Sequence, residues 1–114
     1  MSAFRILLVV IFTCILGYTA IVVANHGFGL FPVFFGDIAA MGWPGQFNVD
    51  FMSFLALSAL WVSWRHHFSP VGLALGVLAF FGGALFLSAY LFFATFSTNG
   101  DMKELLLGKV RANS

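Results

Sequence analysis

The placement of charge constrains this chain more than any other feature. Its five basic and four acidic side chains leave three long apolar intervals, at 7–24, 49–64 and 71–97, with Asp50 at the start of the second as the one charge inside them. At 1.5 Å per residue these intervals make helices of roughly 27, 24 and 40 Å, against a hydrocarbon core of about 30 Å. Each is therefore expected to be a transmembrane helix, with the second barely long enough and the third obliged to tilt or protrude. Composition agrees. Of 114 residues, 61% are apolar and 8% charged. An ordinary soluble domain is about a quarter charged and needs that charge to solvate its exterior. Mean hydropathy is +1.03. The expected fold is an all-α membrane protein of one domain, with the lipid bilayer as its first partner. A cleavable secretory signal is the alternative for the first interval, because Arg5 precedes it and Val22-Val23-Ala24 closes it.

The connector 25–48 is more than a loop. Phe31, Phe34, Phe35, Ile38 and Met41 recur at helical spacing and Pro32 suits a first helical turn, so a short interfacial or re-entrant helix is expected at about 32–42. Its length and the aspartate inside it make it too short and too polar to cross. The tail at 101–108 reads as an amphipathic helix, with Asp101 as cap, Glu104 completing a capping box and Gly108 as the stop. With three alternating spans, Arg5 and Arg65 fall on one face and Lys103, Lys109 and Arg111 on the other, so basic residues do not set the orientation. The same alternation puts His26, Asp37, Asp50 and the segment 90–98 together, and sends Arg65, His66 and His67 to the opposite face.

In lipid, helices associate through close packing, and small residues at helical spacing advertise it. Two stripes stand out: Thr13, Gly17, Ala20 and Ala24 on the first span, and Gly72, Gly76, Ala79 and Gly83 on the third. Packing, within the chain or against a neighbour, is the expected use of Gly17, Ala20, Gly72, Gly76, Ala79 and Gly83. Room for a flat pigment or quinone is the alternative. Trp43, Trp61 and Trp64 suit an aromatic belt at the headgroups.

The polar candidates are Asp50, Asp37 and His26. Asp50 reads first as a cap on the second span, and otherwise as a group that handles protons, binds a cation or pairs with a partner helix. His26 and Asp37 offer a His–carboxylate pair but fall short of the three or four ligands a metal needs. The consecutive His66 and His67 point about 100° apart on a helix and, with Arg65, read as a hydrated anchor. No nucleophile-elbow, zincin, P-loop or paired-carboxylate signature occurs, so neither catalysis nor a metal or other required cofactor is expected. A formal net charge of +1 excludes the basic footprint of a nucleic-acid binder, and the lone Cys14 forms no disulfide framework.

Several short motifs follow one another from Arg5 to Thr98. An initial span leads to Asn25-His26-Gly27-Phe28, then to a Leu-Phe-x-x-Phe-Phe connector from Leu30. Asp50 opens the next span, Trp61 and Arg65 close it, and an apolar span follows. In this order they resemble a family of short bacterial membrane proteins known as domain of unknown function 2834. The resemblance implies a bacterial inner-membrane location and carries no activity to transfer. The expected function is association with other membrane helices, as an accessory or structural subunit in a homo-oligomer or larger membrane complex. The alternatives are an oligomeric proton or small-solute carrier using Asp50, and a pigment- or quinone-binding subunit.

Overall fold

A computed structural model describes residues 2–113. By length and composition, three of the described helices are long and apolar enough to cross a membrane: α1 (Ser2–His26), α3 (Trp43–Arg65) and α4 (Pro70–Ser97). A shorter apolar helix, α2 (Leu30–Ala39), lies between the first two, and α5 (Met102–Leu107) and α6 (Lys109–Ala112) form the tail. The chain is thus the all-helical membrane protein its charge spacing implies. Closest packing joins α3 to α4, α1 to α4 and α2 to α3.

α3 begins ahead of the expected start at 49. Pro44 occupies its first turn, where a missing N–H costs nothing, so Gly42-Trp43-Pro44 opens the helix. Gly45 makes this possible, since a side chain there would collide with the Asp37 carbonyl and Ile38 backbone of α2. In the tail, the Asp101 carboxylate accepts from the backbone N–H groups of Lys103 and Glu104, and Gly108 ends α5 at φ 83°.

α4 departs most from expectation, because it is not one straight rod. Gly83 takes φ 56° and ψ −142°, breaking the helix into arms 70–82 and 84–97. The contacts show that the chain turns back there. Along the first arm, Gly76 lies against Ser63 and Ala59, and Gly83 reaches Phe51 and Leu55, so this arm descends antiparallel to α3. Along the second, Tyr90 returns to Arg65 and His66, and Thr95 meets Arg5. Each arm is only about 20 Å long, and together they form a helical hairpin entered and left from the Arg65 end. The excess length that would have made a straight α4 protrude is absorbed by the reversal.

Only glycine tolerates the backbone angles at position 83 cheaply, and a Cβ there would sit 3.2 Å from Phe51 Cζ. Gly83→Ala should cost about 1–3 kcal/mol, read as a lower midpoint of thermal unfolding in detergent. Gly17→Ala is the matched control, because nothing lies within 4 Å of its would-be Cβ and alanine favours a helix. It should leave the midpoint unchanged or slightly raised.

Candidate functional site

The hairpin brings all five lysines and arginines to one end of the molecule, correcting the divided arrangement expected for three alternating spans. The three arginines act there as staples. Arg5 donates from Nε to Thr95 Oγ1 at 2.9 Å and from Nη2 to the Thr95 carbonyl at 3.2 Å, and its guanidinium lies 4.0 Å from the Phe96 ring centroid. Thr95 is fully buried, so Arg5 fixes the start of α1 to the returning arm. Arg111 donates to the Trp64 carbonyl and stacks over the Trp64 ring at 3.9 Å, which holds the tail on α3.

Arg65 is the centre of this end. Its Nε donates to the Leu105 carbonyl at 2.6 Å, Nη2 to the Glu104 carbonyl at 3.4 Å and Nη1 to the Tyr90 hydroxyl at 2.9 Å. One planar fork therefore ties α3, the second arm of α4 and the last turn of α5, where the Glu104 carbonyl also accepts from the Gly108 N–H. Trp61 adds a bond from Nε1 to the Leu106 carbonyl at 3.0 Å. The hydrated anchor expected at Arg65 is instead a part-buried junction.

Tyr90 completes the junction, with its hydroxyl 2.5 Å from His66 Nε2. Arginine only donates, so the Tyr90 oxygen accepts from Arg65, and its one proton is free to pass to the imidazole. That arrangement requires a neutral His66. Burial, and then the nearby charges of Arg65 and His67, hold the His66 pKa below the ordinary imidazole value of 6.5. The turn that follows α3 sets the ring in place. His67 and Phe68 adopt φ 59° and 55°, the Phe68 N–H returns to the Ser63 carbonyl, and Ser69 caps α4 by accepting from Gly72 N.

Because the unfolded chain binds a proton at His66 more readily than the folded one, stability rises with pH across this window. The contribution is complete above about pH 6.5 and is lost as pH falls through that value toward the lowered folded pKa. Unfolding midpoints measured between pH 7.5 and 5 should fall on acidification, and His66→Gln should flatten the part of that slope due to this ring.

Beside the junction runs an apolar groove of about 450 Å³, lined by Arg65, His66, Phe86, Ala89, Tyr90, Phe93, Ala94 and Ser97. The Phe86 ring stacks on Tyr90 at 5.8 Å and 16° and forms its inner wall. Family models, curated proteins and solved structures give no match to this chain.

The polar candidates from the sequence lie away from this junction. Asp50 is not the cap of α3, which starts at Trp43. It stands two turns inside the helix, about 10 Å from its start, with an exposed side chain. Ser53 donates to the Val49 carbonyl at 3.0 Å and takes no part in a cap. His26 is exposed at the end of α1, and Asp37 is half-buried on α2. Among the described residues no hydrogen bond or ion pair joins the two, and no three His, Cys, Asp or Glu side chains gather as metal ligands. Segment 90–98 belongs with Arg65 and His66, not with these groups.

The two small-residue stripes have different fates. Gly72, Gly76, Ala79 and Gly83 are buried, the first two against Ser63 and its neighbours. Thr13, Gly17, Ala20 and Ala24 are all exposed, so Gly17 and Ala20 do not pack within the chain. Tyr90 carries no motif that would have singled it out. The readable signal was the third interval's length, about 10 Å beyond a membrane core, with a Gly82-Gly83 pair in its middle.

Proposed function

We propose that this membrane protein acts by association, as an accessory or structural subunit that binds neighbouring helices through the uncovered half of α1. One observation carries the reading. From Cys14 onward α1 presents nearly all its residues to the exterior, with the small stripe Thr13, Gly17, Ala20 and Ala24 open along its length. Leu8 is the buried residue of this helix, at the end stapled by Arg5. Close helix approach in lipid uses such stripes. The resemblance to domain of unknown function 2834 supports a bacterial inner membrane as the setting.

Purification in mild detergent tests the reading. A homo-oligomer or a complex with one foreign membrane protein is expected, and Gly17→Leu with Ala20→Leu should dissociate it without unfolding the monomer. A wild-type protein that runs as a lone monomer under these conditions would overturn the reading.

The position of Asp50 favours a second one. A carboxylate exposed on a membrane helix is costly, about 2.5–3.5 kcal/mol near the centre, unless a neighbour or a water-filled path shelters it. Copies assembled around Asp50 would form a proton or small-solute carrier. Flux into liposomes that Asp50→Asn abolishes, without change in oligomeric state, would choose this second reading over the first.

A further inference from the structure

We infer that the groove beside the Arg65 junction binds one anionic phospholipid, its acyl chain lying along the second arm of α4 and its phosphate held at Arg65 and His66. Three features of this end meet that chemistry together.

The first is shape and lining. The groove offers about 450 Å³, and its floor of Phe86, Ala89, Phe93 and Ala94 is apolar. It follows the arm from 86 to 97, roughly 16 Å, which suits a chain more than a compact solute. The second is unspent donor capacity. Of the five N–H bonds of the Arg65 guanidinium, the contacts to Leu105, Glu104 and Tyr90 use three, leaving one on each terminal nitrogen. A neutral His66 whose Nε2 accepts from Tyr90 keeps its Nδ1–H to donate. Converging N–H groups of this kind recognise phosphate oxygens.

The third is charge. This end carries all five basic side chains, with Asp101 and Glu104 as its acids, while Asp37 and Asp50 lie elsewhere. Trp61 and Trp64 lie at the same end, as the aromatic belt of a headgroup region does. A basic pocket between membrane helices, at headgroup depth, selects anionic over zwitterionic lipid. A neutral carbonyl-bearing molecule such as a quinone would fill the groove but make no use of this field.

The test uses the full chain, purified in mild detergent and stripped of lipid. Phosphatidylglycerol should raise the unfolding midpoint and persist as a single adduct in native mass spectrometry, binding roughly tenfold more tightly than phosphatidylcholine. Ala89→Trp fills the groove and leaves the bases in place, so it should remove both effects while far-ultraviolet circular dichroism stays unchanged. Phosphatidylglycerol with a photoactivatable acyl chain should label the wild-type segment 86–97, a readout that stands if the tryptophan variant fails to fold. Equal stabilisation by the two lipids, labelling confined to other segments, or a quinone retained in the groove would each overturn the inference.

Discussion

Cysteines placed at Ala3 and at Lys109, in a Cys14→Ser background, should react with a membrane-impermeant thiol reagent from the same side, and a cysteine at Met41 from the other. The reason lies at Gly83. A straight α4 would carry the tail to the Met41 face, whereas the hairpin returns it to Arg65, where the carbonyls of Glu104 and Leu105 accept from one guanidinium. Ala3, Lys109 and Met41 are all exposed, so labelling reports sidedness and not burial. The effect is all or none. Labelling of Ala3→Cys and Lys109→Cys from opposite sides would contradict the hairpin.

Arg65→Ala is expected to release the tail from the helices. A net contribution of about 1.5–3 kcal/mol for a hydrogen bond to a charged group, reduced here by partial exposure and non-additivity, gives on the order of 3 kcal/mol for the two bonds to tail carbonyls together. That is roughly a hundredfold in the balance between docked and free tail. Hydrogen exchange at 102–112 is the direct measurement, and protection there should collapse while protection in α1 persists. Arg65→Lys should rescue little, because an ammonium cannot serve carbonyls and a hydroxyl in the plane of a fork. A lysine variant as protected as wild type would show that charge alone holds the tail. Tyr90→Phe should be milder, since it removes one of the Arg65 bonds and the His66 contact but leaves both tail carbonyls bonded.

These expectations separate what was legible in the sequence from what was not. Hydropathy and charge spacing marked the three long helices, because the bilayer sets their length and excludes charge from them. The connector helix was legible from its aromatic spacing and Pro32, and the tail cap from Asp101. The start of α3 was obscured because Gly42-Trp43-Pro44-Gly45 has the composition of a turn, although proline in a first helical turn is equally ordinary. Asp50 moved with it, from a cap to the interior of the helix.

The break at Gly83 was hidden for a different reason. In a soluble chain a reversal is punctuated by polar residues, but Ala79, Phe80, Phe81, Gly82, Gly83 and Ala84 are as apolar as the helices around them. A glycine in such a run reads as close packing. Gly83 is buried against α3 and also supplies a left-handed φ, and only the second property reverses the chain. Without the reversal Tyr90 falls on the face opposite Arg65, and the groove it shares with Arg65 and His66 has no counterpart in the sequence.

The hairpin also bears on how the chain enters a bilayer. Both arms are inserted and withdrawn from one side, so nothing beyond Arg65 has to be translocated. The stretch that must pass through the hydrocarbon on the way to the far side is the end of α1 with the connector to α3, whose ionisable groups are His26 and Asp37. With this basic end on the side of synthesis, as the bias of lysine and arginine in membrane proteins would place it, all five would stay where the ribosome releases them. Biogenesis therefore needs the transfer of one short, nearly uncharged loop, and the basic end can fold around its three staples without leaving the aqueous boundary.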